Sequence, residues 1–241
     1  MKFDTPLVKG TLLKRYKRFL ADIKLENGEM TTAHCANPGA MLGLKQEGST
    51  VWLSKSTNPK RKLKYSWELI EVKDHNIPSL VGINTSHPNK IVEEAILNGK
   101  IKPLKGYKTL RREVKYGTNS RIDILLEDNQ KNPDNRNNCY VEVKNVHLLR
   151  QKNLAEFPDS VTTRGAKHLG ELSEMVKTGH RAVMIYLIQR SDVTRFKIAE
   201  DIDQNYAAAF KNALNTGVEA FAFKCDLTPE EIKLTSPVKI S

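Results

Sequence analysis

Long apolar runs are missing from this sequence. Nothing in it approaches the roughly 20 residues a helix needs to cross a bilayer. A helical membrane span is therefore excluded, and no membrane partner is expected. The opening residues, MKFDTPLVKG, lack the apolar core of a secretory signal. Cysteine is scarce: Cys35, Cys139 and Cys225 are odd in number and far apart. They make neither a disulfide framework nor a metal-ligand pair. A reducing, cytoplasmic location is the expectation. No internal repeat is present, and the polar stretch EDNQKNPDNRNN is too short for a low-complexity domain.

Positive charge is what the chain has in excess. Lys and Arg number 39 against 28 Asp and Glu, a net charge of +11 over 241 residues. Such a balance points to a polyanionic partner, nucleic acid first. The charge is denser at the front. Residues 1 to 80 hold 14 Lys and Arg against 8 Asp and Glu, a net of +6. All the rest holds 25 against 20, a net of +5.

The hydrophobic pattern divides the chain into a domain over 1–81 and another over 82–241. The first reads as short strands separated by turns. PLVKGTLLKRYKRFLADIKL is long enough for a strand pair or one long bent strand. Asn27-Gly28 is a hairpin signal, and Asn37-Pro38-Gly39 a tight turn. STVWLSKS and LKYSWELIEVK are further strands. Four or five such strands suit a small OB-like barrel. The second domain alternates helices and strands, the mark of a mixed-sheet α/β unit. PNKIVEEAILNG, VTTRGAKHLGELSEMVKTG and DQNYAAAFKNALNTG read as helices. TLRREVKYG, SRIDILLE, CYVEVKNV, RAVMIYLIQ and VEAFAFKCDL read as strands, VEAFAFKCDL being the last.

CYVEVKNV carries the chemistry. Strand alternation puts Val141 and Val143 on one face and Glu142 and Lys144 on the other. In SRIDILLE, Ile122, Ile124 and Leu126 share a face, and Asp123 lies opposite with Leu125. If the two strands pair, Asp123 can sit beside Glu142. Two adjacent carboxylates repel, and a hard cation such as Mg²⁺ or Mn²⁺ removes the conflict. Lys144 would then stand by a scissile phosphate, to orient a hydroxide or neutralise developing charge. Asp123, Glu142 and Lys144 are the candidate catalytic residues. Asp123 and Glu142 are the candidate metal ligands, with Glu113 the favoured third and Glu93 or Glu94 as alternatives. On the following helix, Arg164, Lys167 and His168 can contact phosphates.

The first domain carries two basic motifs. KRYKRF interleaves Lys14, Arg15, Lys17 and Arg18 with Tyr16 and Phe19. NPKRKLKYSW sets Lys60, Arg61, Lys62 and Lys64 beside Tyr65 and Trp67. Cations can track phosphates while rings stack on bases. The other reading is a solvated surface with its aromatics turned inward. His34 and Cys35 are adjacent, so on a strand they point to opposite faces. Cys35 is read as buried and inert.

RYKRFLADI, HCANPGAM, VGINTSHPNKIVEEAI, SRIDILLE, YVEVKNV and FPDSVTTRGAKHLGEL together carry a resemblance. The sequence resembles the sugar fermentation stimulation protein A family over nearly its whole length. That resemblance implies an N-terminal OB-like domain and a C-terminal domain like the PD-(D/E)XK nucleases. It also implies DNA binding. The nuclease motif carries over as Asp123 and the E-x-K pair Glu142 and Lys144, with Ile122 where the motif has proline. The expected function is a largely sequence-independent DNA-binding protein with a Mg²⁺-dependent nuclease site. Two alternatives stand beside it: a non-catalytic DNA-binding regulator of sugar metabolism on a nuclease fold, and an RNA-binding protein.

Overall fold

The computed structural model describes residues 1–74, 76–117, 120–130 and 138–241. Among them, no helix is long and apolar enough to cross a membrane.

The first unit is built from β1 (Val8–Tyr16), β2 (Leu20–Leu25), β3 (Met30–His34), β4 (Thr50–Lys55), β5 (Tyr65–Asp74) and β6 (Ile77–Gly82). Strands β1 to β5 close into a barrel. β1 pairs antiparallel with both β2 and β4. β3 closes the ring by pairing parallel with β5, Ala33 opposite Tyr65 and His34 opposite Ser66. This is the OB-like barrel that the strand pattern predicts. Alternation fills it: Leu12, Ile23, Val51, Leu53, Trp67 and Ile70 have no exposed surface. PLVKGTLLKRYKRFLADIKL is a strand pair, β1 and β2. Its turn has no glycine, because Lys17 and Arg18 take positive φ themselves. The Asn27-Gly28 turn forms as predicted, with Gly28 at φ 86°.

β6 pairs with β5 outside the ring and leads out to the second unit. There the Gly82 amide donates to the Gln189 carbonyl at 2.9 Å. Residues 1 to 3 also dock on the second unit, Phe3 N donating to Glu230 O and Ile232 N to Met1 O.

The second unit begins with α1 (Pro88–Leu97), then β7 (Tyr107–Tyr116), β8 (Ser120–Asn129), β9 (Cys139–Val146), β10 (Leu148–Gln151) and β11 (Asn153–Phe157). α2 (Thr163–Lys177), β12 (Arg181–Ile188), β13 (Val193–Ile198), α3 (Gln204–Thr216), β14 (Glu219–Leu227) and β15 (Ile232–Ile240) complete it. Among the described residues its nine strands form one mixed sheet, ordered β10-β11-β13-β15-β14-β12-β9-β8-β7. β9 and β12 are central and parallel. β7 and β8 run antiparallel at one edge. Three predicted helices form, α2 capped by the Thr162 side chain and α3 by Asp203.

Helices cover both faces. Ile91, Val92 and Ala95 of α1 pack with Val141, Val143 and Ile185. Leu169 and Leu172 of α2, with Tyr206 and Phe210 of α3, pack with Val146, Met184 and Tyr186. One expectation fails: Ile122 does not share a face with Ile124 and Leu126. Ile124 and Leu126 lie in the α1 core, while Ile122 joins Leu125 in the α2–α3 core. The alternation breaks at Asp123. The polar stretch EDNQKNPDNRNN runs from the end of β8 to the start of β9. Residues 131–137 of it lie outside the described residues, but β8 and β9 do pair antiparallel.

Candidate active site and basic face

The site forms where β8 and β9 stop pairing. Their ladder runs Leu126↔Cys139, Leu125↔Tyr140, Ile124↔Val141 and goes no further. Beyond it a side chain replaces the backbone. Asp123 Oδ2 accepts the Val143 amide at 2.7 Å. Asp123 Oδ1 accepts from Asn89 Nδ2 at 2.8 Å. Burial first, and the Glu142 charge second, push the Asp123 carboxyl up to about 6.

Glu142 is 2 % exposed. Its Oε1 accepts from Lys144 Nζ at 2.7 Å and makes a short contact with His168 Nδ1. Burial alone would raise its carboxyl, but the His168 hydrogen bond and the Lys144 charge outweigh that and hold it below the ordinary range. His168 is itself buried, and its Nε2 accepts from Arg164 Nε at 3.3 Å. That leaves Nδ1 as the protonated nitrogen, donating to Glu142. Glu142 Oε2 is buried and has no hydrogen-bond partner among the described residues. Tyr116 Oη and Glu171 Oε2 are likewise buried without a well-formed hydrogen bond among them, although the Glu171 side chain is close enough to the phenol to act on it. The phenol of Tyr116 is raised by burial and then by the charges of Glu142, Glu171 and Asp123 around it.

Glu113 is exposed on β7, at φ 54°. The pairs Arg112↔Ile124 and Val114↔Ile122 flank it and set it opposite Asp123. Asn89 Nδ2 reaches its Oε1 at 3.3 Å, so one amide ties Glu113 to Asp123. Glu93 is paired with Arg112 and Glu94 with the Met1 amine. Among the described residues, no three His, Cys, Asp or Glu side chains converge as a metal-holding group. Arg164 and Lys167 are exposed on α2, Lys167 Nζ lying 3.5 Å from Glu171 Oε1.

Sequence reasoning missed Asn89, Tyr116 and Glu171. Asn89 follows Pro88 at a helix start, where a polar residue is ordinary. Nothing in the local pattern marks the other two.

On the barrel the two basic motifs become neighbours. KRYKRF spans the β1–β2 turn and NPKRKLK the β4–β5 loop. Register sets Leu20, just past the first turn, opposite His34, and His34 opposite Ser66, just past the second loop. Lys14, Lys17, Arg18 and Lys62 are exposed. Arg61 Nη2 donates to Ser66 Oγ at 2.8 Å. Arg15 is tied into the fold: its Nη2 donates to the carbonyls of Asn37 at 2.9 Å and Gly39 at 3.1 Å. The aromatics divide. Tyr65 and Trp67 are core, while Phe19 is exposed and stacks on His34. Cys35 is buried, its Sγ 3.6 Å from Met41 Sδ.

An OB-like barrel joined to a mixed-sheet α/β unit, with an acidic pair at a strand splay, defines the class of protein. The family models agree in order and extent. Residues 13–83 match the SfsA N-terminal OB domain. Residues 86–231 match the sugar fermentation stimulation protein RE domain. The chain belongs to the sugar fermentation stimulation protein family. It is 58 % identical over 241 residues to the homolog from Rhodospirillum centenum, covering 100 % of both chains. It is 56 % identical over 234 residues to that from Rhodospirillum rubrum, covering 95 % of this chain and 94 % of the relative. The solved structure of Pyrococcus furiosus SfsA in complex with Ca²⁺ superposes with a TM-score of 0.85 at 25 % identity. That match covers 100 % of this chain and 98 % of the other.

Proposed function

We propose that this protein binds DNA and hydrolyses phosphodiester bonds at a divalent-cation site formed by Asp123 and Glu142, as in PD-(D/E)XK nucleases. One observation carries the reading. Glu142 keeps a buried oxygen with no hydrogen-bond partner among the described residues, beside an Asp123 carboxyl pushed up to about 6. A pair of carboxylates in that state fits a cation, and all-oxygen donors favour Mg²⁺ or Mn²⁺. The Pyrococcus relative, solved with Ca²⁺, supports divalent binding on this scaffold. Asp123 and Glu142 would hold the ion, with Glu113 joined to them through Asn89. When bound, the ion supplies Lewis-acid polarisation and charge neutralisation at the phosphate. Lys144 orients the attacking water and balances charge that builds on the phosphoryl oxygens. His168 restrains Glu142 Oε1 and leaves Oε2 without a protein donor. Arg164 and Lys167, exposed on α2, bind flanking phosphates. The barrel's Lys14, Lys17, Arg18, Arg61 and Lys62 hold the rest of the strand.

A specific observation favours a second reading, a binding-only regulator. Lys144 already neutralises Glu142, His168 occupies the same oxygen, and no third acidic ligand converges among the described residues. The test is incubation of labelled single- and double-stranded DNA with wild type, Asp123→Ala and Glu142→Ala in Mg²⁺ or Mn²⁺. Cleavage by wild type alone supports the hydrolase. Binding without cleavage in either metal supports the regulator. Tighter binding of RNA than of DNA of equal length would shift the substrate to RNA.

A further inference from the structure

The β1–β2 turn is built against local preference. Lys17 lies at φ 47° and Arg18 at φ 61°. This left-handed region crowds a Cβ against the backbone and suits glycine or asparagine. The β2–β3 turn of the same barrel meets its need with a glycine, Gly28 at φ 86°. The β1–β2 turn carries two cations instead. Strain of this kind concentrates where residues serve a ligand.

The next residue, Phe19, is 46 % exposed. Its ring lies over the His34 imidazole, with centroids 6.4 Å apart and planes 20° from parallel. The other rings of the basic motifs are less open, Tyr16 being half-buried. The Tyr16 hydroxyl donates to Asp22 at 3.1 Å. Tyr65 and Trp67 belong to the barrel core. Phe19 is therefore the most exposed ring of these motifs. It sits between the Lys17-Arg18 turn and the loop bearing Arg61 and Lys62, because His34 is paired with Ser66 and Ser66 Oγ accepts from Arg61.

Resting on the DNA-binding reading above, we propose that Phe19, backed by His34, seats an unpaired base, and that the DNA held on this face is single-stranded. Bases in a duplex are covered above and below by their neighbours. A duplex offers the turn only its sugar-phosphate edge, to which a phenyl ring adds nothing. Every base of a single strand has an uncovered π face. The flanking cations meet the phosphates on either side of the stacked base.

The test is fluorescence anisotropy with a labelled 20-nucleotide oligothymidylate and a labelled 20-base-pair duplex, each at two salt concentrations. Wild type is expected to prefer the single strand. Phe19→Ala is expected to weaken oligothymidylate binding about tenfold, with duplex binding and melting temperature unchanged. Phe19→Trp retains the preference. Lys17→Asn/Arg18→Gly relaxes the turn, so it raises the melting temperature while flattening the salt dependence. Equal loss on both DNAs, or no loss on either, overturns the stacking seat while leaving DNA binding intact. No binding of either DNA by wild type at low salt overturns the DNA-binding reading and this inference with it.

Discussion

Asp123 accepts the amide hydrogen of Val143 at 2.7 Å, one residue past Glu142. A carboxylate thereby takes the place of a backbone carbonyl at the end of the β8–β9 ladder. The consequence is electrostatic. Burial first and the neighbouring Glu142 charge second push the Asp123 carboxyl up, while His168 and Lys144 pull Glu142 down against its own burial. Carboxyls driven apart in this way are a pattern of acid–base and metal sites.

The first prediction concerns pH. The Asp123 carboxyl sits at about 6 in the folded chain, above its ordinary value of 3.8. Its contribution to stability is therefore fully present below about pH 4 and is lost as pH rises through 6. A cation must displace that proton. Mn²⁺ affinity is expected to rise roughly tenfold per pH unit up to about 6 and to level off above it. Calorimetric titrations at pH 5, 6 and 7 check this. Affinity constant across that range would remove Asp123 from the ligand set.

Asn89 should matter more than its sequence suggests. Asn89→Ala deletes a donor to an ionised group, worth roughly 2 kcal/mol. The Asp123 carboxyl then moves further up, since its charged form has lost a hydrogen bond. Urea unfolding at pH 7 and pH 4 reads both effects. The loss is expected to shrink at pH 4, where Asp123 is protonated in the folded state.

Stability separates the supports of Glu142 from the orphan hydroxyl near it. His168→Ala removes the buried donor to Glu142 and is expected to cost about 3 kcal/mol. Tyr116→Phe deletes an oxygen that has no well-formed hydrogen bond among the described residues. It is expected to leave stability unchanged or higher by up to about 1 kcal/mol. Chemical denaturation of both variants decides. A large loss from Tyr116→Phe would mean that the hydroxyl is held after all.

Arg15 and Lys17 stand two residues apart in one basic motif, and the structure gives them different work. Arg15→Ala frees the carbonyls of Asn37 and Gly39. It is expected to lower the melting temperature and leave the salt slope of DNA binding unchanged. Lys17→Ala is expected to leave the melting temperature alone and reduce the slope by about 1. The reverse assignment contradicts the account.

The architecture was largely legible in the sequence, because its signals are local. Asn27-Gly28 makes a turn, RAVMIYLI reads as a strand buried on both faces, and Leu169 and Leu172 repeat at helical spacing. The missed elements lack such signals. The β1–β2 turn has no glycine, since Lys17 and Arg18 adopt its geometry. β15 contains Pro237, which argues against a strand, yet it pairs with β14 and β13. Of the candidate site, Glu142, Lys144 and His168 were legible because their spacing on a strand and a helix fixes their faces, whereas Asp123 was legible from its motif and not from its spacing, since the β8 alternation breaks there. Asn89 and Tyr116 reach the site through tertiary contact, which periodicity does not encode. Arg15 shows the opposite limit: charge in a motif does not tell whether a cation faces a phosphate or a carbonyl.

The central claim is that Asp123 and Glu142 together hold a divalent cation. Anomalous diffraction from crystals soaked in Mn²⁺ tests it most directly. The account predicts a peak bound by both carboxylates in wild type and absent from Glu142→Gln. A Mn²⁺ peak elsewhere, or none at this pair at saturating metal, would contradict it.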